Sequence, residues 1–165
     1  MQIGEYIIMY VSINQYFINQ YFKEAIVMIR LVAGNAGEGK TKSLIKMAND
    51  AVNITDGHIV YLDCDSSHML QLKHQIRYTN ISDYPISDYK EFFGFMCGIL
   101  SEDNDISEIY ADGLLKLARV NDLDTSYELI DKLKALSDKF NVRFVFSINC
   151  NTDVLPDYLK EFIVA

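Results

Sequence analysis

The chain has 165 residues, half of them hydrophobic, and a formal net charge of −8. This length fits one domain with a full core, and the composition excludes a disordered chain. The negative net charge argues against general nucleic-acid binding through a basic face. The three cysteines are far apart and form no CxxC pair, so reduced thiols in a cytoplasmic protein are expected rather than a zinc site or a disulfide framework.

Residues 1–27 differ from the rest of the chain and are treated as an N-terminal extension. They are rich in Ile and Tyr and carry three charges. Asn and Gln interrupt the apolar run and no basic region opens it, so a membrane span and a signal peptide are not expected. Three interpretations stay open: a helix packed on the domain, a weak membrane or partner anchor, or a mis-assigned start, because Lys23-Glu24 can be encoded by a purine-rich ribosome-binding sequence before Met28.

From Met28 onward the patterns alternate between strands and helices. Short apolar runs predict strands over 28–33, 58–63, 76–81, 106–112 and 142–148. Helical spacing predicts helices from Lys40 and over 66–75, 87–103 and 124–141, with Ser87 capping the third and Thr125 and Glu128 capping the fourth. Segment 154–164 reads as a helix or a strand–helix mix. The alternation predicts an α/β fold over 28–165, a three-layer αβα arrangement with a mostly parallel sheet.

A glycine-rich loop separates the first strand from the first helix. It matches G-x-x-x-x-G-K-[ST] at every fixed position, and we assign phosphate contacts to all of its residues and the one that follows: Gly34, Asn35, Ala36, Gly37, Glu38, Gly39, Lys40, Thr41 and Lys42. Glycines allow the positive φ angles that turn backbone N–H groups inward, and the helix N-terminus favours an anion. Lys40 is expected to reach the β- and γ-phosphates and Thr41 to ligate Mg²⁺.

Polar residues follow the other strands. Ligands of open parallel sheets lie beyond the carboxyl ends of the strands, so the acids there are candidates. Asp112 is assigned to the Mg²⁺ water shell, with a helix cap or turn residue as the alternative. Asp63 or Asp65 is expected to orient or deprotonate an attacking water, with a solvated helix cap as the alternative. Ser147 and Asn149 end the last strand, where a polar side chain can contact the γ-phosphate.

These motifs resemble those of P-loop NTPases, and the resemblance covers most of residues 28–150. Within that superfamily the chain is similar to small ATP-binding proteins of the RecA and PilT-like type. The resemblance implies a catalytic carboxylate on the strand next to the P-loop strand, and Asp65 would fill that place, with Asp where Glu is usual. Gly113 follows Asp112 where AAA-type ATPases usually carry Glu. The expected cofactors are therefore ATP and Mg²⁺, with slow hydrolysis that drives a conformational switch and Lys40 counted among the catalytic residues.

Other nucleotide-binding classes fit the sequence less well. GTPases carry an N-K-x-D motif that binds guanine and a D-x-x-G motif in the switch region. Here Thr152 stands three residues after Asn149, where the first motif has Asp, and Leu115 occupies the position of the switch glycine. Small-molecule kinases normally close an Arg-rich lid, and the four arginines here are well separated. A nucleotide-dependent protein-binding switch with little turnover and a kinase remain alternatives. A protein partner, a homo-oligomer and an arginine finger from Arg77 or Arg119 stay open. His58, His68 and His74 are not spaced as a metal site and are expected to be ordinary surface or core residues.

Overall fold

The structure is a computed structural model that describes residues 28–165. The interpretations offered for residues 1–27 lie outside the described residues. Five strands form one sheet: β1 (Ile29–Gly34), β2 (His58–Asp63), β3 (Ile76–Asn80), β4 (Ile106–Ala111) and β5 (Arg143–Asn149). Their order is β1-β5-β4-β2-β3 and all four pairings are parallel. The predicted α/β fold with a parallel sheet is confirmed.

The strand order corrects one expectation. The resemblance implied that the strand leading to Asp65 lies next to the strand before the glycine loop. That expectation is wrong, because β5 and β4 lie between β1 and β2. The neighbour of β1 is β5, whose carboxyl end carries Ser147 and Asn149.

Helices cover both faces of the sheet. The helices are α1 (Lys40–Ala51), α2 (Tyr89–Glu102), α3 (Leu114–Leu117), α4 (Leu123–Phe140) and α5 (Asp157–Lys160), with 3₁₀ helices at Ser66–Gln71, Ile81–Asp83 and Thr152–Val154. On one face α1 packs Leu44, Ile45 and Ala48 against the strands. The larger core on the other face takes side chains from α2, α3 and α4. The central strands β2, β4 and β5 bury both of their faces, as expected for a three-layer fold, whereas the edge strand β3 buries only Ile76.

Two helix starts differ from the predictions. Asp88, not Ser87, caps α2, because its carboxylate accepts from the backbone N–H groups of Lys90 and Glu91. Ser87 instead donates its own N–H and hydroxyl to Glu91. Asp122 caps α4 by accepting from the backbone N–H of Thr125, so the expected Thr125–Glu128 capping pair is wrong. Neighbouring Ser, Thr and Asp residues are all good N-caps, so local sequence does not choose between them.

The end of the chain covers the outer edge of β1. After α5, the backbone of Leu31 donates to Phe162 and accepts from Val164, and the Ala33 N–H donates to Ala165. These hydrogen bonds give partners to backbone N–H and C=O groups at the edge of β1 that would otherwise be unpaired beside the glycine loop. The mixed helix and strand character predicted for this segment is confirmed.

Candidate functional site at the carboxyl edge of the sheet

A cavity of about 600 Å³ lies beyond the carboxyl ends of the strands. Small-molecule sites commonly have this size and this place in an open parallel sheet. One wall comes from the glycine loop and the start of α1: Ala36, Gly37, Gly39, Lys40, Thr41 and Lys42. The facing wall comes from the segments after β2, β4 and β5: Asp63, Asp65, His68, Asp112, Lys116, Ser147 and Asn149. The cavity is therefore basic on one side and acidic on the other.

The glycine loop adopts the backbone conformation that its sequence predicts. Gly37 and Gly39 have φ angles of 83° and 81°, in the left-handed region that side chains with a Cβ disfavour. Lys40 folds back so that its ammonium donates to the Asn35 carbonyl. Glu38 also turns back, and its carboxylate accepts from the backbone N–H of Asn35 at 2.7 Å. The loop is thus held by its own polar contacts, while its second half faces the cavity.

The N-terminus of α1 lacks the usual compensation for its positive end. Gly39 is the cap residue and no side chain of the described residues caps the helix. The first backbone N–H groups of a helix have no partner inside it, so those at Lys40, Thr41 and Lys42 need one elsewhere. The first turn contains no acidic residue, and its two lysines add positive charge where the helix dipole is already positive. An anion in the cavity would offset this charge.

Asp112 is held in place from the neighbouring strand. It follows β4, and its backbone N–H donates to the Leu62 carbonyl of β2 at 2.9 Å. The Ser147 hydroxyl donates to Asp112 Oδ1 at 2.5 Å and accepts from the Gly113 N–H at 2.6 Å. One carboxylate oxygen is therefore fixed by the protein, which leaves the other for a cation or a water molecule.

Asp63 is a buried carboxylate with a histidine beside it. It is 6% exposed, and its Oδ1 accepts from the backbone N–H groups of Cys64 and Asp65 at 2.7 and 3.1 Å. Its Oδ2 lies 3.2 Å from Nδ1 of His68. Burial raises the pKa of Asp63, which the contacts with His68 and the two backbone N–H groups only partly oppose. A carboxylate with a raised pKa is a stronger base toward a bound water molecule.

Asp65 has a different environment. It is the N-cap of the Ser66–Gln71 3₁₀ helix, and its side chain accepts from the Ser67 N–H at 2.9 Å. Those contacts lower the pKa of this exposed carboxyl group. These contacts fit the alternative role of Asp65 as a helix cap, although Asp65 also lines the cavity.

Most of the residues predicted from the sequence line this one cavity. Three do not: Gly34 ends β1 and accepts from the Cys150 N–H, and Asn35 and Glu38 bond to each other away from it. Five lining residues were not predicted: Ile45, Gln71, Gly113, Lys116 and His68, the last of which was expected to be an ordinary surface or core residue. Periodicity carried no signal for the polar ones, since His68 and Gln71 lie in a single 3₁₀ segment and Lys116 lies in the four-residue helix α3. His74 is exposed and lies outside the cavity lining.

Comparisons with known proteins identify no family for this chain. A scan against protein-family models finds no match, and a search of curated proteins finds no relative. Within residues 28–165, every helix falls short of the length and hydrophobicity that crossing a membrane requires.

The buried charge of Asp63 provides a test of this geometry without any ligand. A carboxyl group whose pKa is raised by folding favours the protonated form, so its ionisation costs stability once the pH rises above the ordinary value of about 4. We expect Asp63→Asn to stabilise the free protein by about 1 kcal/mol at pH 7.5, and by less at pH 4. Urea unfolding of both proteins at the two pH values measures this. A variant that is less stable at pH 7.5 would contradict it, because the ionised Asp63 would then be a net stabilising group.

Proposed function

We propose that the chain binds Mg·ATP in this cavity and hydrolyses it slowly, with the turnover coupled to a change in the surrounding loops. The observation that carries the proposal is the uncapped N-terminus of α1, with Gly37 and Gly39 at positive φ and two lysines in its first turn, facing a cavity of nucleotide size. This combination supplies N–H donors, a helix dipole and ammonium groups to one anion.

The triphosphate would lie along the start of α1. The N–H groups at Lys40, Thr41 and Lys42 would donate to phosphate oxygens, which would give these helical donors partners. Lys40 would exchange its bond to the Asn35 carbonyl for a charge-assisted bond to phosphate. Lys116, exposed on the opposite wall, offers a second ammonium group to the same charge.

The residues present also suit a magnesium ion bound with the nucleotide. The Thr41 hydroxyl and the free oxygen of Asp112 are oxygen donors of the kind Mg²⁺ prefers, and both line the cavity. Ser147 holds Asp112 in a fixed orientation. When bound, the ion would neutralise charge on the phosphates during cleavage.

Asp63 is the better placed of the two candidate bases. Its raised pKa and its position on the acidic wall suit it to orient a water molecule and accept its proton. Asp65 already uses its carboxylate as a helix cap. Slow rather than rapid turnover is proposed because no arginine of the described residues lines the cavity to stabilise transition-state charge.

A nucleotide-dependent binding switch is the second candidate, and one surface favours it. The Ser66–Gln71 segment has no buried residue and lines the cavity through His68 and Gln71. Its apolar side chains Met69 and Leu70 are exposed, and Leu70 is 89% exposed. A nucleotide that reorders this segment would move an apolar surface that a protein partner can contact. Within residues 28–165 no arginine lines the cavity, which also disfavours a kinase with an Arg-rich lid.

Calorimetric titration with ATP and with GTP, each with Mg²⁺, tests the proposal. We expect saturable one-to-one binding of ATP, weaker binding of GTP, and phosphate release above the level of a protein-free control. Binding without release at any protein concentration would favour the switch. No binding of either nucleotide would contradict both candidates and leave the loop as an ordinary strand–helix connection.

A further inference from the structure

Three side chains at the carboxyl end of β2 and β4 converge on one point. Asp63, His68 and Asp112 each place a ligand atom within 4.8 Å of the ligand atoms of the other two. Asp63 is buried, and 31% of the His68 side chain is exposed. The chain brings His68 back to Asp63 by turning through Asp65 into the 3₁₀ helix.

The spacing of His68 and Asp63 suits two ligands of a metal ion. Nδ1 of His68 and Oδ2 of Asp63 are 3.2 Å apart. Two ligand atoms each about 2.1 Å from a metal ion lie about 3.0 Å apart at a right angle and about 3.4 Å apart at the tetrahedral angle. An ion can therefore replace the proton between these atoms with little movement of either side chain.

The other oxygens of the two carboxylates are held by contacts from outside the group. Two backbone N–H groups bind Oδ1 of Asp63, and the Ser147 hydroxyl binds Oδ1 of Asp112. Such outer contacts orient metal ligands and keep their remaining oxygen available.

A buried hydroxyl lies on the same face of β2 as Asp63. Tyr61 precedes Asp63 by two residues on the same face of β2, and its side chain is fully buried. Its hydroxyl makes no hydrogen bond of standard geometry to any described residue. A buried polar group of this kind calls for a partner, and a water molecule on a bound ion would supply one.

We propose that Asp63, His68 and Asp112 bind one divalent first-row transition-metal ion, such as Mn²⁺, in the absence of nucleotide. Imidazole favours such ions over Mg²⁺, for which all-oxygen ligands are usual. Three protein ligands leave positions open for water, as in catalytic metal sites. The inference goes beyond the proposed nucleotide function, since it needs neither the glycine loop nor phosphate, although Asp63 and Asp112 are common to both.

Titration of the nucleotide-free protein with Mn²⁺, followed by the loss of the free-ion EPR signal, tests the site. We expect one saturable site in the wild type and nitrogen coupling from one imidazole in its pulsed EPR spectrum. His68→Asn is expected to weaken binding at least about 10-fold and to remove the nitrogen coupling. His74→Asn, which alters an exposed histidine outside the cavity, is the matched control and is expected to bind as the wild type does.

The outcome is separable from that of the nucleotide proposal. Lys40→Ala is not expected to lower the Mn²⁺ affinity, because the ammonium is not a ligand and its removal takes positive charge out of the same cavity. Absence of a saturable Mn²⁺ site in the wild type would overturn the inference. Equal affinities and spectra for His68→Asn and His74→Asn would overturn it as well, since the imidazole would then not be a ligand. ATP binding by the same samples, measured separately, reports on the glycine loop alone.

Discussion

Lys40→Ala is expected to weaken Mg·ATP binding by about 100-fold, or about 2.7 kcal/mol. The residue lies at the start of α1 beside the N–H groups that have no helical partner. Hydrogen bonds from a charged donor to a charged acceptor are among the strongest in proteins, and a phosphate left without its cation in a partly enclosed site is costly. Calorimetric titration of the variant with Mg·ATP measures the change.

Lys46→Ala is the matched control for this variant. Lys46 lies on the same helix, is 76% exposed and pairs with Asp50, and it does not line the cavity. Removing it takes away the same charge and side chain and is expected to change the affinity by less than about 3-fold. Circular dichroism of both variants checks the fold, since Lys40 also bonds to the Asn35 carbonyl. Equal affinities for the two variants would contradict a phosphate role for Lys40.

The parts of the site that sequence could predict are those set by short-range rules. A run of glycines at a strand–helix junction dictates its own backbone conformation, so the loop was predictable, including the positive φ angles of Gly37 and Gly39. Acids after buried strands must lie at the same edge of a parallel sheet, so Asp63 and Asp112 could be placed together without knowing the strand order.

The remainder of the site depends on tertiary contacts that no local pattern encodes. His68 reaches Asp63 because the chain after β2 forms a single 3₁₀ segment, Ser66–Gln71, where helical spacing had predicted a helix over 66–75. Ser147 in β5 contacts Asp112, which follows β4, because β4 and β5 pair directly in the sheet. The expected proximity of β2 to β1 was wrong for the same reason, since strand order is decided by packing between distant segments.

The two acids that follow β2 should separate in their effect on hydrolysis. We expect Asp63→Asn to lower phosphate release in single-turnover experiments by about 100-fold or more, which is the usual contribution of a general base, while ATP affinity stays within about 3-fold. Asparagine keeps the size and the N–H acceptor of Asp63 and removes the proton acceptor. Asp65→Asn is the matched control, because asparagine is as good a helix cap as aspartate, and it is expected to change the rate by less than about 5-fold.

Each alternative result assigns the chemistry differently. A large loss in Asp65→Asn with little change in Asp63→Asn would transfer the role of base to Asp65 and contradict the argument from burial. Equal rates in all three proteins, at the level of the protein-free control, would favour the binding switch over the enzyme. The buried charge that makes Asp63 costly to the free fold is the property that makes it a base, so the variant that loses activity should also be the more stable protein. We therefore expect Asp63→Asn both to raise the stability of the free protein and to lower the hydrolysis rate, which is the usual trade-off between stability and activity at a functional carboxylate.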